Sequence, residues 1–256
     1  MKKHLIAAMF AATMLGTAAQ AGGLDSLLGD KNKMGAVSDL VSAATISDSD
    51  LKNVTQQYVA SSDKKEKVAP AKDKYAKRLA KLVAKHQNED GMKLNFKVYL
   101  SPTVNAFATA DGSVRVYSGL MDLMTDDELR AVIGHEIGHV KLTHSLNAMR
   151  TAYLASAGRN LAASQGGGIK QMAESDLGAL SKALLNNSFS RSQETDADDY
   201  GFAFMQKHKY PPAAMESAFR KLAGDGGKQT GLDAMLSTHP DPEKRANRVK
   251  DKMAGK

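Results

Sequence analysis

The chain of 256 residues contains no cysteine. No disulfide can brace it and no thiolate can hold a metal. Any transition-metal centre must therefore be built from His, Asp and Glu, which suits a catalytic rather than a Cys-rich structural site. Exported proteins normally have disulfides open to them, so stability here has to come from a buried core. The same absence removes the residue that bacterial lipoproteins acylate behind their leader. Long apolar runs are missing as well: Leu5 to Leu15 is too short and too rich in alanine and threonine to span a bilayer. That run follows Lys2, Lys3 and His4 and precedes the small-residue cleavage site Ala19-Gln20-Ala21, so residues 1–21 are predicted to be a cleavable secretory signal peptide. A mature chain of roughly 235 residues suffices for one catalytic domain with a helical extension. It is expected in the periplasm, with neither a lipid anchor nor a transmembrane helix.

The formal charge is +7, and it is concentrated. Between Asp63 and His86 nine Lys/Arg face three Asp/Glu. Such a cluster first suggests nucleic acid, but an exported protein rarely meets it, so the favoured reading is a solvated helix face. Loose attraction to anionic lipid or lipopolysaccharide is the second reading.

Helices are expected around 35–44 and over 48–66, with Ser47 and Asp50 capping the second. Ala69-Pro70 breaks the chain before another, in which Tyr75, Leu79, Leu82 and Val83 recur at helical spacing among lysines. Leu94 to Leu100 alternates apolar with polar, as a half-buried strand does. Val104 to Ala108 and Val114 to Tyr117 are two further strands, joined by the turn dipeptide Asp111-Gly112. The expected sheet is small and mainly antiparallel. Thr125-Asp126-Asp127-Glu128 is a capping box with acids in the first turn, and the helix behind it runs through Leu129, Val132, Ile133, Ile137 and Val140. Residues 146–187 are Ala/Ser-rich helical pieces interrupted by Gly166-Gly167-Gly168. They suit a mobile helical lid. Ser188 to Met205 is a further helix, and Pro211-Pro212 and Pro242 start the last two. The domain plan is a signal peptide at 1–21, an N-terminal helical extension at 22–69 and a catalytic domain at 70–256.

Residues 135–139 read His-Glu-Ile-Gly-His. Residues four apart on a helix are displaced by about 40° around the axis and about 6 Å along it. His135 and His139 therefore face one point and can share a cation. Glu136 projects about 100° away, beside the metal, where it can act as a base on water. Zinc suits two imidazoles, one carboxylate and an open position, although other divalent ions fit the same donors. A metzincin would carry glycine at 142 and histidine at 145, but Leu142 and Ser145 stand there. His144 is five residues beyond His139, rotated off the metal face, and reads as structural. Downstream, Ser190-Arg191-Ser192-Gln193-Glu194-Thr195-Asp196-Ala197-Asp198 places Glu194 and Asp198 four apart. Glu194 can supply the third ligand, and Asp198 can accept the free ring N–H of a ligand histidine.

Together these stretches resemble metallopeptidase family forty-eight, the HtpX-like gluzincins, over roughly residues 70–254. The resemblance extends to the family's periplasmic branch through Asn105-Ala106-Phe107-Ala108, Val116-Tyr117-Ser118-Gly119-Leu120 and Thr238-His239-Pro240. It implies an α+β, mostly helical zincin fold and one Zn(II) per chain. The implied activity is that of a zinc metalloendopeptidase, with unfolded or misassembled envelope polypeptides as substrates. Contact with the membrane or with outer-membrane assembly proteins would be peripheral. It also implies that His239 lies near the metal, as an oxyanion stabiliser or fourth ligand, and that Asn105, Ala106, Phe107 and Ala108 form the edge that aligns substrate. Arg191 and Asp198 are expected to support the ligands from outside. Two departures stand out: lipoprotein members of the branch carry a cysteine that this chain lacks, and no tetratricopeptide array is present. The rival reading is a zinc-stabilised periplasmic chaperone or assembly factor with latent proteolysis.

Overall fold

The computed structural model describes residues 46–160, 172–185, 188–224 and 231–256. The expected signal peptide, the helical patch at 35–44 and the glycine run at 166–168 lie outside the described residues. No helix among those described is long and apolar enough to cross a membrane.

Helix starts follow local side-chain chemistry. α1 (Asp48–Lys65) is capped by Ser47, whose Oγ accepts from the Asp50 N–H at 3.1 Å. Asp73 caps α2 (Lys74–Val83) in the same way. After a short 3-10 turn (Glu89–Gly91) come β1 (Asn95–Tyr99), β2 (Ala106–Ala108) and β3 (Ser113–Tyr117). α3 (Ser118–Leu123) leads into α4 (Asp126–Lys141), where the capping box closes in both directions: Thr125 N–H donates to Glu128 at 2.7 Å, and Glu128 N–H to Thr125 Oγ1 at 3.3 Å. Buried Glu128 also receives Lys221 and Ser217, at 2.7 and 2.6 Å. It thereby ties the start of α4 to α8 (Ala213–Ala223). α5 (His144–Asn160) and α6 (Glu174–Leu185) follow α4. α7 (Arg191–Lys207) opens with a second capping box, Ser190 with Gln193. α9 (Asp233–Thr238) and α10 (Pro242–Met253) complete the described chain.

The sheet is mixed, with order β1-β3-β2. β2 and β3 form the expected antiparallel hairpin, but β1 pairs with β3 in parallel, in place of a mainly antiparallel sheet. The reason is topological: two reversals return the chain to the direction of β1, and β3 then inserts between its predecessors. The hairpin turns at Gly112 (φ +87°), where a Cβ would stand 2.2 Å from the Lys93 carbonyl oxygen. Only glycine fits both the backbone and the space.

Two apolar clusters result. The larger joins the sheet, α2, α4, α7, α8 and α10, with Val114, Val116, Leu129, Ile137, Met205 and Met215 essentially closed to solvent. The smaller joins α1, α5, α6 and the hairpin through Leu51, Val54, Leu146, Met149, Leu180 and Ala110. The N-terminal helix and the two helices after α4 thus form one layer above the catalytic body.

Candidate metal centre

α4 carries His135, Glu136 and His139, all three buried. One turn of helix separates the imidazoles, and their Nε2 atoms approach to 3.0 Å. α7 reaches them because glycine permits close helix packing. A Cβ on Gly138 would lie 3.1 Å from the Ala197 carbonyl oxygen, and one on Gly201 would lie 3.2 Å from the His135 nitrogen. Side chains at these positions would push α7 away and take Glu194 with it. As packed, Glu194 Oε1 stands 3.2 Å from His139 Nε2, and Oε2 stands 3.7 Å from His135 Nε2.

His239 enters from the loop behind α9. Its Nδ1 lies 3.0 Å from Glu194 Oε1 and 3.3 Å from His135 Nε2, and its Nε2 lies 3.4 Å from Glu136 Oε1. Donor atoms of His135, His139, Glu194 and His239 all fall within 4.8 Å of one another. Three imidazole nitrogens so crowded cannot all satisfy each other, because a pair of lone pairs without a proton between them repels. Glu136 Oε1 is buried without a hydrogen-bond donor, while Glu194 Oε2 has Arg245 Nη1 2.6 Å away. Buried unpaired acceptors are costly. A divalent cation among the four donors relieves the crowding of the imidazole nitrogens, and the set of imidazoles plus one carboxylate fits zinc.

Charges around the donors are arranged to keep them available. Burial, the dominant cause, holds His139 well below the usual imidazole range and so neutral. Glu194 is driven far down: burial would raise it, but the surrounding histidines outweigh that. Burial raises the Glu136 carboxyl against the lowering influence of His239 and His135. Asp198 lies 2.9 Å from His135 Nδ1 and receives Arg245 through two nitrogens, at 2.9 and 2.6 Å.

Sequence reasoning missed Arg245. This buried guanidinium from α10 spans Asp198, Glu194 and the face of Phe219. The only signal was indirect: two carboxylates assigned to the interior require a buried cation, but nothing in the sequence chooses among the arginines. Phe189 was also missed; it stacks on His139 with ring centres 3.8 Å apart. His144 is structural, as expected, but it is not turned away from the site. α4 ends at Lys141 and the chain doubles back through Thr143 (φ 61°), so helical rotation no longer applies. His144 Nδ1 lies 3.1 Å from His139 Nδ1 and fixes that ring from behind. Ser145 donates to the Ala108 carbonyl at 2.9 Å. Arg191 is corrected too. It is the first residue of α7, its side chain is 82% exposed, and it pairs with Asp241 instead of reaching the donors. Tyr200 donates to Asp90.

Beside Glu136 and His239 is a cavity of about 240 Å³, lined among others by Asn105, Phe107, Ala108, Tyr58 and Phe189. β2 forms one wall, and among the described residues it pairs only with β3. Asn105 Oδ1 is buried there without a partner.

A His-Glu-x-x-His helix, a glutamate from the following long helix and a small sheet beside the site define a metallopeptidase of the gluzincin kind. The model of peptidase family M48 matches residues 70–253, and the chain belongs to this family. Metalloprotease LoiP of Escherichia coli strain K12 is 42% identical over 214 residues, covering 83% of this chain and 84% of LoiP. Metalloprotease YcaL of the same strain is 40% identical, covering 83% of each. The beta-barrel assembly-enhancing protease of that strain is 28% identical over 69% of this chain but only 38% of its own length.

Proposed function

We propose that this metallopeptidase is a zinc-dependent endopeptidase exported to the periplasm, where it hydrolyses misfolded or misassembled envelope polypeptides. The observation that carries the reading is the convergence of His135, His139, Glu194 and His239 within 4.8 Å of one another, with the buried Glu136 carboxylate beside them and a cavity with a strand edge next to it. His135, His139 and Glu194 would hold the ion. When bound, zinc supplies a Lewis acid that lowers the pKa of water to about 7 and polarises a carbonyl. Glu136 takes the proton of the attacking water and passes it to the leaving amine. Its raised pKa suits both transfers. β2 offers backbone groups to an extended substrate by strand addition, with Asn105 Oδ1 accepting a substrate N–H. His239 is the fourth donor while no substrate is present. Envelope substrates are supported by the relative named a beta-barrel assembly-enhancing protease and by the leader-like first 21 residues.

Cleavage of casein and of an unfolded outer-membrane protein, with and without chelator, tests the reading. Chelator should abolish cleavage, and Glu136→Gln should lower turnover by roughly 10²–10⁴ while zinc stays bound. Full activity in that variant would remove Glu136 as the base. His239→Ala should weaken zinc retention; unchanged affinity and turnover would reduce it to a loop residue. The deep burial of all four donors favours one further reading, an assembly factor with latent proteolysis. Holdase activity that survives Glu136→Gln, with no chelator-sensitive cleavage, would select it.

A further inference from the structure

Among the described residues a second group of metal-ligating side chains converges outside the catalytic cavity: His86, Glu89 and His208, again within 4.8 Å of one another. His86 follows α2, Glu89 opens the 3-10 turn, and His208 caps the C-terminus of α7. The His86 and Glu89 side chains are buried, at 1% and 3% exposure, while His208 keeps 20% and gives the group an opening to solvent. His86 Nδ1 lies 3.0 Å from Glu89 Oε2, and His208 Nε2 lies 3.0 Å from Glu89 Oε1. On its far side, His86 Nε2 meets the Tyr210 hydroxyl at 2.9 Å. Ligated imidazoles use such an outer contact to place their remaining proton: with the proton on Nε2 accepted by Tyr210, Nδ1 is left free to bind.

Neighbouring cations do not close the site. Lys207 lies 2.6 Å from Glu89 Oε1, but also 2.6 Å from Asp90 Oδ1, and it is half exposed. It can therefore stay with Asp90 when another cation takes Glu89. Arg130 sits over the Tyr210 ring and is paired with Asp127. Lys141 is spent on the Asp90 carbonyl. Glu89 and Asp90 thus share the Lys207 ammonium at the turn, with the Lys141 ammonium beside them.

We propose that His86, Glu89 and His208 form a second, structural site for a divalent ion of the zinc class, with solvent in the remaining position. Two imidazoles and one carboxylate select such an ion over calcium or magnesium, which prefer all-oxygen shells. The ion would pin the end of α7 to the 89–91 turn. That turn also holds Tyr200 of α7 and Lys141 of α4, so the ends of both helices that carry catalytic donors meet there. This assignment is independent of the proposed proteolysis.

The test is a metal count. The full chain, stripped by chelator dialysis and titrated with Zn²⁺, should retain two equivalents, and His208→Ala should retain one. Combined His135→Ala and His139→Ala should also retain one, and adding His208→Ala should leave none. Zn²⁺ should raise the unfolding midpoint of the double variant but not of the triple one. Bound Zn²⁺ that His208→Ala does not reduce, whether one equivalent or two, overturns the proposal. Should the double variant fail to fold, the comparison of the unaltered chain with His208→Ala decides alone.

Discussion

The catalytic body and the layer of α1, α5 and α6 above it are built differently. In the body, sheet and helices share one continuous apolar cluster, and glycines let α4 and α7 approach until their donors meet. The upper layer has a smaller cluster of its own. Polar clamps supplement it: Arg150 to Asp48, Lys65 to Glu174, and the Met172 N–H to Gln57. The two meet through Asp63 of α1, which receives Arg115 of β3, Lys97 of β1 and the Tyr99 hydroxyl. Less buried apolar surface and more exposed hydrogen bonding mark the layer as the part that opens first. The layer also walls the cavity beside Glu136, through Tyr58, Met149 and Leu184.

The largest test of this contrast lies in the body. Arg245→Ala leaves Asp198 and Glu194 without their buried counter-charge and should cost about 3–5 kcal/mol, read from denaturant unfolding of the metal-free chain. A loss under about 1 kcal/mol, below the range for a broken buried pair, would mean the carboxylates are stabilised some other way. In the layer, Leu51→Ala removes a fully buried side chain at a cost of about 2–5 kcal/mol. That cost should fall on local opening: amides of α1, α5 and α6 should exchange faster while those of α4 and α7 keep their protection. Turnover of unfolded substrate should rise by at least roughly 30-fold, the ratio that corresponds to about two kcal/mol. Equal loss of protection in α4 would show that body and layer unfold as one unit.

A smaller effect is expected from acid. Burial alone would raise the Asp63 carboxyl, but Arg115, Lys97 and Tyr99 hold it below its ordinary value of 3.8. The folded state thus binds the proton less readily than the unfolded one. The stabilisation is complete above the unfolded pKa and is lost as pH falls through the lower folded value. Acidification below about pH 4 should therefore loosen α1 from the sheet, and Asp63→Asn should remove that part of the pH dependence. Exchange rates of α1 amides against pH measure it, and identical profiles in both chains would clear Asp63 of the role.

The amino-acid order alone determined whatever depends on neighbours within a turn or two. Capping residues fixed where α1, α4 and α7 begin, and the spacing of His135 and His139 fixed that one helix face presents two imidazoles. These are local because helix geometry repeats every few residues. Tertiary structure decided what depends on chains meeting from afar. β1 runs parallel to β3 because β3 inserts beside it, an outcome no strand pattern encodes. His144 turns back onto His139 because the helix between them stops. Arg245 outranks Arg191 because it lies on the buried face of α10 while Arg191 lies on the solvent side of the first turn of α7. Arginines look alike in sequence, and only packing decides which one loses its water and must find a carboxylate.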